Sequence, residues 1–236
     1  MKYKLVAFWL VVFGALFAFL QTRFEYHFYY IEQSQLFLFS EAYIRNKLVL
    51  PGGFSMLVAE FFVQFFIRPY VGALVTAALL TGVGICTAGI VKRIASASGL
   101  FILYVQPMLA LLFMHFDFNY RVQGTVCYLM MTALLCGYIR IRNDLFRLVA
   151  GCVLVPVLFW LAGSIAVLFA GMICLFEGLR KTPKWYISLI GVAEVLLLGV
   201  GTVYFSLMGE YRWVFGPDLY YHYTLLSLIH ISEPTR

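Results

Sequence analysis

Charge is what this chain lacks most: aspartate, glutamate, lysine and arginine make up 12% of its 236 residues, where soluble domains carry roughly a quarter. The 17 basic side chains are scattered through apolar sequence, with no basic stripe, so neither disorder nor a nucleic-acid-binding face is encoded. Cysteine is sparse as well. Cys86, Cys127, Cys136, Cys152 and Cys174 all lie in uncharged runs, with no CxxC pair and no histidine at ligand spacing, and imply neither a structural zinc site nor a disulfide framework. Apolar residues fill the space instead, at 63% of the chain and a mean hydropathy of +0.91. The expectation is an all-α, polytopic transmembrane helical bundle in a lipid bilayer.

A helix needs about 20 apolar residues to cross the hydrocarbon core. The uncharged runs are Leu5–Gln21, Tyr70–Val91, Ile94–Met114, Val122–Ile139, Leu148–Phe176 and Trp185–Met208, the last interrupted by Glu194. The fifth is too long for one span and has basic residues at both ends: Arg140, Arg142 and Arg147 before it, Arg180, Lys181 and Lys184 after. Because bases favour the cytoplasmic side, it reads as a hairpin turning at Ala162, Gly163 and Ser164, with Arg147 and Arg180 snorkelling to lengthen each leg. Seven spans result, with the N-terminus inside. Cytoplasmic segments then hold ten bases against two acids, and external segments six bases against seven acids. A cleaved signal peptide is the lesser reading of the first run, since bulky Phe17, Phe19 and Leu20 stand where small residues precede a cleavage site.

The longest connection, Thr22 to Pro69, carries an aromatic belt in Phe24, Tyr26, Phe28, Tyr29 and Tyr30. Ile31–Asn46 reads as a helix with Glu41 and Arg45 paired, and Phe54–Arg68 as an amphipathic helix with Glu60, Gln64 and Arg68 along one stripe. The polar set Glu25, His27, Glu32, Gln33 and Gln35 sits at the outer end of the first span. Carboxylates there, beside aromatic rings, suit a general base or a divalent-cation ligand. On a helix Glu25, Tyr29 and Glu32 share a face, but the carboxylates stand about 10 Å apart and need a third contributor to hold one ion. The second external loop, HFDFNYR, supplies one: His115, Asp117, Asn119 and Arg121 alternate, so an extended stretch points all four to one side. Gly209–Tyr223 repeats the mixture of acids, histidine and rings, which suits a polyol such as a sugar. Inside the spans, Glu194 is costly enough to mark function, and Gln106 with Pro107 reads as a kink with an interhelical polar contact.

The segments EQSQLFLF (Glu32–Phe39), PGGF (Pro51–Phe54) and EFFVQFFIRPYVGAL (Glu60–Leu74) resemble a bacterial family of multi-pass membrane proteins of unknown function, best over the first 75 residues. More distantly, the layout is similar to membrane glycosyltransferases that use lipid-linked sugars. That resemblance implies an essential acid in the first external loop, Glu25 or Glu32. An enzyme reading of the same loops adds Gln33, Gln35, Tyr29, Asn119 and Arg121 on the substrate and Asp117 as a second cation ligand. The chain departs from that pattern in having no aspartate in the first loop and no acidic partner beside Asp117. The closing segment, LSLIHISEPTR (Leu226–Arg236), resembles the translation of a sequencing adapter, which implies that residues 1–225 are a fragment of a longer protein with a non-membrane C-terminal region.

The orientation is directly testable. A Gln33→Cys variant in intact cells is expected to react with a membrane-impermeant maleimide, and protection from it places the first loop inside and removes every external assignment.

Overall fold

The computed structural model describes residues 2–35, 37–94 and 101–178, together with 190, 193–194, 196–198 and 200. Arg180, Lys181, Lys184, most of the 185–208 run, the Gly209–Tyr223 loop and residues 226–236 lie outside the described residues. Among the described residues every regular element is a helix, nine in all: α1 Lys2–Arg23, α2 Glu25–Ser34, α3 Glu41–Leu48, α4 Gly53–Val63, α5 Val71–Ile94, α6 Phe101–Met114, α7 Val122–Tyr138, α8 Asp144–Ala162 and α9 Ile165–Gly178. Three of them, α1, α5 and α8, are long and apolar enough to cross a membrane; α4, α6, α7 and α9 are shorter apolar helices. The described residues from 190 to 200 are helical too.

Local chemistry sets the ends. Asn143 caps α8 by accepting from the Leu145 and Phe146 amides at 3.0 and 3.5 Å, and Asp144 in the first turn complements the helix dipole. The long run 148–176 breaks at Ala162–Ser164, where Gly163 takes φ 75°, a conformation nearly free only to glycine. Gly52, φ 80°, plays the same part before α4, and its amide donates to the Trp160 carbonyl at 2.8 Å, joining the two turns at one end of the bundle.

Two expected helices are cut short. Ile31–Asn46 is not one helix: Gln35 leaves the helical region, and Ser40 restarts the chain by accepting from the Tyr43 amide at 3.3 Å. Glu41 and Arg45 do not pair; the ion pair of this region runs from Lys47 Nζ to Glu60 Oε1 at 2.6 Å. The stripe Glu60–Gln64–Arg68 is also interrupted, because α4 ends at Val63 and Phe66 turns inward to meet Phe28, ring centroids 5.4 Å apart. The residue before Pro69 is disfavoured in the helical region, so the helix has no continuation. Helix α4 therefore packs on the bundle, with Ser55, Leu57, Ala59 and Val63 buried against α7 and α8.

Helix α7 is the centre. It touches α4, α5, α8 and α9 and contributes to both apolar clusters, one shared with α1, α2 and α4–α6, the other with α8 and α9. Close approach rests on small residues, as expected where lipid is as apolar as leucine. A Cβ at Gly84 of α5, for example, would stand 2.6 Å from the Trp9 ring of α1.

Arg147 does not snorkel. It is 2% exposed, its Nε lies 2.5 Å from Glu177 Oε1, its Nη2 lies 2.6 Å from Asp144 Oδ1, and its Nη1 donates to the Ile141 carbonyl at 3.2 Å. The Tyr138 hydroxyl donates to the same Glu177 Oε1 at 3.2 Å. The partner that makes an inward turn cheaper than a path to water is 30 residues away, at the end of the other leg. This network closes the open end of the α8–α9 hairpin. Glu177→Ala is expected to cost about 3 kcal/mol by removing the buried carboxylate that takes the Arg147 Nε, Asp144 remaining on Nη2. An Arg147→Met/Glu177→Leu double variant should recover most of that loss, and thermal unfolding in detergent distinguishes the two.

Candidate functional site

Helix α2 lies on the end of the bundle with Phe24, His27, Phe28 and Ile31 turned towards it, spacings of three, four and seven residues that define one helical stripe. The fit is close: a Cβ on Gly72 of α5 would fall 2.6 Å from the Phe28 ring. With that stripe inward, Glu25, Tyr29 and Glu32 share a flank, Glu25 exposed and the other two half-buried. Seven residues of helix separate the two carboxylates, about 10 Å of rise. Gln33 is exposed, and Gln35 lies past the helix end.

The segment after α6 is not extended, and its four polar residues do not share a side. Successive turns fold it: the Phe116 and Asp117 amides donate to the Phe113 and Met114 carbonyls, the Tyr120 amide to Asp117, and the Asn119 amide to Asp117 Oδ1 at 2.9 Å. The local acceptor offered by Asp117 outcompetes the strand conformation. His115 is buried, Asp117 exposed, and Asn119 and Arg121 half-buried. His115 Nε2 lies 2.8 Å from Thr125 Oγ1, which also lies 3.3 Å from the Tyr120 hydroxyl.

Rings bring the two segments together. Phe24 stacks on Phe116 at 4.9 Å and 11°, the His27 ring lies 4.6 Å from Phe118, and Tyr30 meets Phe118 edge-on at 5.6 Å. Neither ring nitrogen of His27 has a hydrogen-bond partner, and both are shut off from solvent. Burial lowers the His27 pKa, opposed by nearby Asp117; burial, with His27 adding to it, takes His115 down to about 3. Both imidazoles are therefore neutral near pH 7.

Below this cluster run two apolar grooves that share α6. One, of about 490 Å³, lies along a single face of α6, formed by Ile102, Val105, Gln106, Leu109, Ala110 and Phe113, with no second wall among the described residues. The other, of about 300 Å³, lies between Val12, Ala15, Leu16 and Phe19 of α1 and Met108 and Leu112 of α6. Phe19 and Phe113 both abut Phe116, at 6.2 and 5.4 Å, so the grooves meet at the ring cluster. Gln106 is exposed on α6, and among the described residues it makes no polar interhelical contact of the kind expected. Glu194 is half-buried beside the Cys152 thiol, with Gly151 and Val155 of α8 and Ala170 and Ile173 of α9.

Among the described residues no three histidine, cysteine, aspartate or glutamate side chains gather to hold a metal ion. Sequence reasoning missed the half-buried group in which Glu60 takes the Tyr43 hydroxyl and Lys47, whose ammonium also lies 2.8 Å from Met56 Sδ. It also missed Gln123 Nε2 of α7 donating to Ser55 Oγ of α4 at 3.2 Å. Both join segments whose separation carries no sequence signal.

The buried imidazole gives a pH signature. Because the folded pKa of His115 lies below its unfolded value, the unfolded chain binds the extra proton; stability is full above about pH 6.5 and falls as the pH drops towards 3. His115→Gln, which keeps a partner for Thr125 but cannot titrate, should lessen the fall of the melting temperature over that range, the His27 contribution remaining. An unchanged slope would assign the acid sensitivity elsewhere.

No curated protein and no solved structure matches the chain. A match over residues 1–231, well beyond the 75 residues that carry the resemblance, shows that the chain belongs to a family of unknown function, DUF6057.

Proposed function

We propose that this is a seven-span protein of the bacterial inner membrane that engages a lipid from the outer leaflet, its tail along the α6 grooves and its polar head at the external rim formed by α2 and residues 115–121. What carries the reading is the convergence of two apolar grooves on one ring cluster, directly beneath the polar side chains of that rim. The orientation is supported by Lys92 and Arg93 in the last turn of α5 and by Arg140 and Arg142 between α7 and α8, all on the cytoplasmic side. The described parts of α6 and α9, 14 residues each, rise about 21 Å.

A lipid-linked sugar is the substrate class that suits this rim, and sugar transfer is the chemistry. Glu32, half-buried on the flank of α2, is the first choice of base and exposed Glu25 the second. Arg121 addresses the phosphate, and Asp117 a divalent cation that accompanies it; Tyr29, Gln33, Gln35 and Asn119 address the sugar. A transporter gains nothing from the arrangement, because Gln106 faces out from α6 whereas Glu194 packs against α8 and α9.

Lipid extracted from the purified full-length chain is expected to include a tightly held species that Ala110→Trp, which fills the larger groove, depletes several-fold. Equal retention by wild type and variant would sink the groove assignment. Glu32→Gln is expected to abolish sugar transfer without lowering the amount of protein in the membrane.

A further inference from the structure

His27 is the one imidazole among the described residues whose two ring nitrogens are both buried and unbonded, in a residue only 4% exposed. Either neutral tautomer holds one donor and one acceptor, and each is costly to leave unmet in a buried position. Phenylalanine fills such a space without that cost, and phenylalanine is what surrounds it: Phe24 and Phe28 edge-on at 6.0 and 6.3 Å, and Phe118 at 4.6 Å. We propose that the His27 imidazole, covered by residues 115–120, is the docking point for a hydroxyl-bearing head group. The assignment rests on the lipid-engaging reading above and names the residue and the head-group class for it.

Three features point to a hydroxyl. A hydroxyl both donates and accepts, which suits a neutral imidazole offering one of each. Aromatic walls around a few polar atoms are the ordinary make-up of a small-molecule site. The charge that acts on the ring is the exposed Asp117 carboxylate, which repels a phosphate and accepts from a hydroxyl. The part of the cover that can move is Phe118, which is largely exposed and meets the ring without a hydrogen bond, while His115 and Tyr120 on either side of it stay buried against Thr125. Phe24, which touches His27, also meets Phe116 and Phe19, so the docking point sits where the tail grooves end.

The same hydroxyl chemistry is offered by a glycolipid head and by a free sugar, and an experiment on the full chain separates them. With ¹⁵N-labelled histidine in an amine-oxide detergent, octyl glucoside below its micelle concentration, glucose and inorganic phosphate are added in turn. The His27 ring nitrogens are expected to shift with octyl glucoside, those of His115, already bonded to Thr125, to stay in place, and His27→Phe to lose the response. Half-saturation by octyl glucoside about tenfold or more below that by glucose identifies a lipid head, the difference being tail binding; equal values identify a free sugar. Ala110→Trp should remove the octyl advantage and leave the glucose response intact, so a failure of the groove reading is visible separately. Should the phenylalanine variant not fold, Phe118→Ala, which uncovers the ring, lowers the half-saturating concentration. Ring nitrogens silent to both sugars, a response that survives in His27→Phe, or a shift driven by phosphate instead each overturn the proposal.

Discussion

A polar group buried in a bundle that faces lipid must be satisfied from within the protein, because no water waits on the other side of the helix. Most of this structure can be read as solutions to that constraint. Arg147 directs its donors to Glu177, Asp144 and the Ile141 carbonyl, and Tyr138 completes the set. Gln123 reaches Ser55 and the Gly52 carbonyl, which fastens α4 to α7, while the Gly52 amide holds the end of α8. His115 finds Thr125. Helix α7 supplies a partner in each of these groups, through Tyr138, Gln123 and Thr125, which is why it sits in the middle. His27 is the imidazole that closes nothing, and the Thr76 and Thr81 hydroxyls of α5 share that condition with it.

How much of this was legible in the sequence depends on distance along the chain. The turn at Gly163 was readable because charge at both ends of a 29-residue run demanded it and a glycine was present to make it. The stop between α2 and α3 was not, because the pattern through Leu36–Phe39 continues apolar and the decision falls to a single hydroxyl at Ser40. Arg147 was misread for a plainer reason: position beside a span predicts snorkelling only when no buried carboxylate competes, and Glu177 comes from another helix. The alternation His115, Asp117, Asn119, Arg121 was a true pattern with the wrong conformation under it, since an aspartate able to cap its own turn defeats the strand that alternation assumes.

The acids of the first loop owe their placement to residues that are not acidic. Phe28 sits where Gly72 leaves room, which fixes the rotation of α2 about its axis, and Glu25 and Glu32 then fall on the flank wherever their chemistry would prefer to be. Their separation along the helix follows from the same geometry. Two carboxylates so far apart on one rigid helix cannot act as a pair on one reacting atom, whereas a single carboxylate can act with a group brought from another segment. The segment packed against α2 is 115–121, joined to it by stacked rings. Any chemistry at this rim therefore belongs to one acid of α2 working with the second loop, and the Phe24–Phe116 stack that holds the two together is as much a part of the site as the carboxylate.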